Sequence, residues 1–259
     1  LADPARIDNR RHLRYWVNDE GTTMATDILE RLHLFTVFTD VPEPRLAVMA
    51  KDTFALDLDR HANVWNEGDT SRYLYLIVNG RVKLIKHSET GKDVIIEIFG
   101  PRDAIGESSL LVGGTYTTTA VCLSSTTLLC VPRHQILELL ETVPGMAMRS
   151  MRGMARRQRM LMQKIKELAA GGVEYRIAHL LLKLADRIGE TCAETGETTI
   201  PLVLSRQDIA DLVGTTVETA IRVMSRWRKM DIVTNDKRGI ILRDRETLED
   251  LAAGITTHV

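Results

Sequence analysis

The chain of 259 residues is short of several things, and each shortage excludes something. Its three cysteines, Cys122, Cys130 and Cys192, are an odd and widely spaced set. They lack the close spacing of a zinc site and are too few for a four-thiolate iron–sulfur cluster. Aromatic residues are sparse, at 5%, whereas methionines are plentiful, at 10. No apolar run reaches the roughly 18 residues of a membrane-crossing helix, and no secretory pattern opens the chain. A reducing cytoplasm and no membrane partner are therefore expected. Charge of one sign is lacking too: the formal net charge is −1, so an anionic partner has to be argued from local clusters. Motifs of covalent chemistry are absent as well. There is no GxSxG, no P-loop and no HExxH, and the acids are scattered over helix faces, so the chain is not read as an enzyme.

What is present is the composition of a globular protein, 44% hydrophobic and 27% charged, with length enough for two cores. The stretch "RRHLRYW" is basic and without period, either an interaction arm or a weakly ordered extension over 1–23. Met24 opens "MATDILERLHLFTVF", and apolar spacing over 24–55 predicts short helices around the irregular "VPEP". From about 57 to 131, short β-branched runs alternate with Gly, Asp and Asn, the texture of a small antiparallel barrel or sandwich. In "VNGRV", Asn79-Gly80 suits a two-residue hairpin turn.

Helical periodicity returns at 144–170. Ala147, Met151, Met154, Gln158, Leu161, Ile165 and Leu168 follow at steps of four and three, a coiled-coil seam with one polar member. The same segment carries many arginines, a face for an acidic partner or a solvated flank of the seam. The glycines of "AAGG" are expected to end the helix in left-handed geometry. Beyond them lie an amphipathic helix closed by Gly189, a loop with a short strand, two short helices and a strand–turn–strand in "IVTNDKRGIILRD". Helices followed by a small hairpin describe a winged helix-turn-helix.

The two short helices lie in "LSRQDIADLVGTTVETAIRVMSRWRKMDIV". Ser205 can cap the first, with Asp208 closing a capping box, and Gly214 supplies the turn. Thr215 is placed as the cap of the second, with Glu218 three residues on. Ala220, Ile221, Met224 and Trp227 are expected to face the core. Glu218, Arg222 and Arg226 recur every four residues on the other side, alongside Thr219. Such a face suits a major groove, where arginine bonds guanine bidentately and a carboxylate accepts from cytosine. The plainer reading is a capping box at Glu218 and a surface Glu218–Arg222 pair.

Taken in order, "EGDTSRYLYLIVNGRVKLIK", "GPRDAIGESSLLVGG", the helix with "MARRQ", "YRIAHLLLKLA" and "SRQDIADLVGTTVETAIRV" resemble the CRP/FNR family of bacterial transcription regulators, over about 24–251. The resemblance implies an α+β chain: an N-terminal antiparallel β-roll like a cyclic-nucleotide-binding jelly roll (24–132), a dimerisation helix region (133–170) and a C-terminal winged helix-turn-helix (171–259). It implies a homodimer on promoter DNA that works with RNA polymerase. Val217, Glu218 and Arg222 fall at the base-reading positions and Ser205 and Arg206 at backbone-contacting ones. Thr216 and Thr219 complete the candidate DNA surface, and Met151, Met154, Gln158, Leu161, Ile165 and Leu168 the dimer seam. "TVETAIR" is similar to the FNR branch. With Arg222 on a guanine and Glu218 on the cytosine of a neighbouring pair, TGA-like half-sites are expected, and the two-fold axis of a dimer requires an inverted repeat.

The implied effector pocket comprises Gly106, Glu107, Thr117, Thr118, Leu161 and Met162. Members that bind cyclic nucleotides hold the phosphate with an arginine where Thr117 stands, and a hydroxyl cannot supply that charge-assisted fork. Leu161 and Met162 replace the pair that reads adenine, and the FNR cysteine cluster is missing. Cyclic AMP and an iron–sulfur cluster are thus not expected, and haem becomes a candidate, with His33, His61, His87 or His134 as ligand. The rival reading is a cyclic-nucleotide-binding-like regulatory or interaction module without DNA function.

Overall fold

The computed structural model describes residues 14–15, 21–87 and 93–254. The chain forms two compact units, one of 1–91 with 96–156, the other of 92–95 with 157–259.

In the first unit, helices α1 (Gly21–Leu32) and α2 (Glu43–Asp52) flank a single 3-10 turn at Thr36–Phe38. Pro42 and Pro44 bracket the start of α2, where proline's fixed φ is compatible with a helix and its missing N–H is not needed. The strands follow: β1 (Arg14–Tyr15), β2 (Phe54–Leu58), β3 (Asn63–Trp65), β4 (Tyr73–Asn79), β5 (Val82–His87), β6 (Asp93–Phe99, whose first three residues are grouped with the other unit), β7 (Ala104–Ile105), β8 (Thr119–Cys122) and β9 (Thr126–Pro132). Short α3 (Glu107–Val112) interrupts them, and α4 (Arg133–Thr142) closes the series. They form two antiparallel sheets, ordered β1-β2-β9-β4-β7 and β3-β8-β5-β6.

The alternation of side chains along β4 and β9 builds two cores at once. Leu74, Leu76, Leu129 and Val131 pack with Leu32, Phe35, Phe38, Leu46 and Met49 of the helices. Tyr75, Ile77, Leu128 and Cys130 point the other way, among Trp65, Val82, Phe99 and Tyr116. This double burial explains why "LYLIV" is continuously apolar and not alternating. Each such side chain contributes about 1.5–3 kcal/mol of burial.

Two local expectations are corrected here. Asn79-Gly80 joins no hairpin, since β4 and β5 belong to different sheets. The pair is a corner at which the chain crosses from one sheet to the other. Gly80 has φ +88°, and a Cβ there would stand 2.5 Å from the Ser125 carbonyl oxygen, so the close approach of the turn at Ser125–Thr126 needs glycine. Of the extension over 1–23, residues 1–13 and 16–20 lie outside the described residues. Arg14 and Tyr15 add a strand to β2, opposite Asp57 and Leu56.

Helix α5 (Pro144–Ala170) is continuous over the proposed seam. In the second unit, α6 (Val173–Ile188) is followed by β10 (Glu190–Thr191), β11 (Thr198–Ile200), α7 (Arg206–Val213), α8 (Val217–Lys229), β12 (Val233–Asn235), β13 (Ile240–Leu242) and α9 (Arg245–Ala252). The sheet order is β10-β11-β13-β12, and β12 and β13 form the wing, Val233 opposite Leu242. The glycines after α5 are not left-handed: Gly172 caps α6 at φ −63°. Gly171 is needed for space, because a Cβ would lie 2.0 Å from the Tyr175 ring.

Candidate nucleic-acid interface and effector site

The helix-turn-helix is assembled by short-range bonds. Ser205 Oγ accepts the Asp208 N–H at 3.0 Å, and the Ser205 N–H donates to Asp208 Oδ2 at 3.0 Å, so the capping box at α7 forms as read. Gly214 ends α7 in the left-handed region, φ 65° and ψ 52°. The cap of α8 is Thr216, not Thr215: its Oγ1 accepts the Thr219 N–H at 3.3 Å. Two threonines in a row both fit the composition of a cap, and only the turn geometry at Gly214 selects between them. The shift moves Glu218 out of the capping-box position, which Thr219 takes.

Helix α8 buries Ala220, Val223, Met224 and Trp227, each at most 3% exposed. Ile221, expected in that stripe, is 45% exposed, and Val223 has its place. On a period of 3.6, positions 220, 223, 224 and 227 share one side, whereas 221 has turned toward the opposite face. That outer face presents Glu218 and Arg222, both exposed. Arg226 is paired with Glu174. Arg222 makes no hydrogen bond or ion pair among the described residues, so the Glu218–Arg222 surface pair does not form. Val217 is half-buried at the first turn of the helix.

Besides Arg206, expected at the DNA backbone, α8 and the wing carry exposed cations that sequence reasoning did not assign. Arg206 is half-buried and reaches Asn235 Oδ1 at the end of β12, 3.4 Å away. Burial, and then the neighbouring Arg228 guanidinium, pull its pKa below the ordinary arginine value. Arg228 and Lys229 are exposed at the end of α8, and Lys237 and Arg238 at the tip of the wing. Asp236 shapes that tip, accepting N–H bonds from Arg238 at 2.7 Å and Gly239 at 3.1 Å. The available signal was "NDKRG", a turn carrying two cations between strands.

In the β-roll, Gly106 and Glu107 begin α3, and Glu107 is buried. Thr117 is exposed and Thr118 half-buried just before β8. Their carbonyls are already engaged: Lys86 Nζ donates to Thr117 O at 3.0 Å and Trp65 Nε1 to Thr118 O at 2.7 Å. Lys86 is also paired with Glu67, so the cation nearest this position has its own counter-ion. Next to Gly106 stands an aromatic stack that sequence reasoning missed. Trp65 stacks on Tyr116, ring centroids 4.3 Å apart, and on Tyr75, at 5.1 Å. A Cβ on Gly106 would meet the Tyr116 ring at 3.2 Å. The Tyr116 hydroxyl donates to Tyr73 O at 2.8 Å, and burial pushes its pKa up to about 12. With aromatics so sparse, their convergence on one place was invisible in a linear reading.

Leu161 and Met162 lie on α5 in the other unit, exposed, as are Met151, Gln158 and Ile165. Met154 is half-buried, and the side chain of Leu168 lies outside the described residues.

Comparison with known proteins agrees with this architecture. Residues 56–143 match the cyclic nucleotide-binding domain family and residues 175–251 the Crp-like helix-turn-helix domain family, together more than half of the chain. The chain is 26% identical to the CRP-like cAMP-activated global transcriptional regulator of Mycobacterium tuberculosis, over 82% of this chain and 94% of that one. It is 28% identical to the global nitrogen regulator of a Nostoc strain, over 73% and 85%. FixK2 from Bradyrhizobium japonicum has the same fold, with a TM-score of 0.66 at 24% identity over 77% of this chain and 96% of that one. A cyclic-nucleotide-binding-type β-roll ahead of a DNA-binding winged helix-turn-helix makes this chain a transcription regulator of the CRP/FNR family.

Proposed function

We propose that the protein acts as a homodimer on promoter DNA in the cytoplasm, together with RNA polymerase, and reads an inverted repeat with TGA-like half-sites. The carrying observation is Arg222, exposed on the outer face of α8 with its guanidinium uncommitted among the described residues. Its five donors are free for a guanine edge, and Glu218 one turn earlier can accept from the cytosine of a neighbouring pair. Val217 and Thr219 flank them at the helix start, where Thr216 is held by its cap. Arg206 and Ser205 serve the backbone. Burial first, and then the Arg228 guanidinium, disfavour the charge on Arg206, so a phosphate between the two cations would be favoured.

The dimer rests on α5. Met151, Leu161, Met162 and Ile165 are 54%, 43%, 59% and 66% exposed along one helix, an apolar stripe that a second copy would cover. Gln158, exposed within it, would pair with its twin and set the register.

The effector is other than cyclic AMP, because the cyclic phosphate would find no arginine at Thr117 or Thr118 and a Lys86 already neutralised by Glu67. Haem is the weaker candidate. His33, His61, His87 and His134 are all exposed, His33 is paired with Glu43, and His87 is bonded to Thr119 Oγ1 at 3.1 Å. The test of the DNA reading is selection from random duplex DNA with the full-length protein. A palindrome with a guanine in each half-site is the expected result, and recovery of no common motif refutes it.

A further inference from the structure

The outward turn of Ile221 has a consequence for which bases the helix can read. Every other large aliphatic or aromatic side chain in the last three turns of α8, Val223, Met224 and Trp227, is at most 3% exposed, while Ile221 is 45% exposed. It stands beside Arg222 and one turn after Val217, which is half-buried at the start of the helix. Positions 217 and 221 therefore make an apolar row running next to the polar row of Glu218 and Arg222. A single exposed aliphatic residue on a surface ordinarily carries no meaning. This one differs in its place, in the half of the recognition helix that meets base edges and within one residue of the free guanidinium.

The chemistry of the groove then limits what such a row can recognise. A branched aliphatic side chain neither donates nor accepts, so the acceptor and donor pattern of the bases is closed to it. The major groove offers one apolar group, the C5 methyl of thymine. We propose that Ile221, supported by Val217, is a specificity-determining residue that packs on the methyl group of a thymine next to the guanine pair read by Arg222. Polar and apolar rows then divide the half-site between them. Arg222 takes a guanine and Glu218 the cytosine of a neighbouring pair by hydrogen bonds, and Ile221 takes a T·A pair by contact with its methyl. The inference rests on the DNA reading proposed above and assigns a side chain to a T·A pair within it.

The probe is a duplex of the selected palindrome in which one thymine per half-site at a time is replaced by deoxyuridine, which removes the methyl and nothing else. Full-length wild type should lose about fourfold in affinity per half-site at one thymine position, the factor that burial of one methyl-sized group carries. Ile221→Ala should bind the thymine and uracil duplexes equally at that position and still prefer guanine at the position read by Arg222. Ile221→Val, which keeps the branch, should retain part of the discrimination. Wild-type indifference to uracil at every position overturns the proposal, as does an undiminished uracil penalty in Ile221→Ala. The two levels separate cleanly. Guanine preference without thymine–uracil discrimination sinks the Ile221 role alone, whereas absence of any sequence-selective binding sinks it together with the DNA reading.

Discussion

Replacing Arg222 by alanine tests whether the free guanidinium reads a base. Its side chain is exposed and uncommitted among the described residues, so the folded protein loses no internal bond. Stability should change by no more than about 0.5 kcal/mol, as for other surface substitutions. Binding should fall by about 1–3 kcal/mol per half-site, the worth of a good bidentate contact, or roughly 2–6 kcal/mol for a dimer on two half-sites. The per-half-site loss corresponds to about 5- to 150-fold. Arg206→Ala makes the contrast. On the proposed reading Arg206 contacts the DNA backbone, so the variant should weaken all sequences alike and flatten the log K against log salt slope by about 0.9 for each phosphate released. Anisotropy titrations at several salt concentrations, on the selected palindrome and on duplexes altered at the guanine, separate the two signatures. The reasoning is refuted if Arg222→Ala leaves the choice of base unchanged, or if its loss is as large on altered duplexes as on the palindrome.

Replacing Leu161 and Ile165 together by aspartate should give monomers with much weaker DNA affinity; sedimentation of the wild type as a monomer at micromolar concentration contradicts the dimer. Calorimetry should detect no micromolar cyclic-AMP binding, and a saturable micromolar isotherm would show that Thr117 and Thr118 suffice for the phosphate. Trp227→Ala should destabilise by about 3–5 kcal/mol, because the indole is 1% exposed at the centre of the α8 packing; a melting temperature close to wild type would place it outside the core. The Tyr116 phenol, at about 12 when folded against an ordinary 10.0, binds its proton more tightly in the native state. Its contribution is therefore complete below pH 10 and is lost as the pH rises toward 12, which tyrosinate absorbance during alkaline unfolding can follow.

Much of the architecture was legible in the residues alone, where the deciding physics lies within a turn or two of chain. The capping box at Ser205 and Asp208, the turn at Gly214, the two-stranded wing and the long helix over 144–170 all depend on neighbours a few residues apart, so their signals survive in a linear reading. The exposed side of α8 was only half legible. Period alone placed Glu218 and Arg222 outward, but whether Ile221 or Val223 completed the buried stripe depended on how α8 meets the core of its unit. Asn79-Gly80 looked like a hairpin because its local geometry permits one; that β4 and β5 enter different sheets is set by pairing with β9 and β8, 34 to 59 residues away. The stacking of Trp65 on Tyr75 and Tyr116 likewise brings together two strands and the distant segment just before β8. Local sequence determines which elements form and where they are capped, because those bonds close within the element. Which face of an element is buried, and which side chains meet in the β-roll, is decided only when distant segments pack, because that free energy belongs to contacts no short stretch contains.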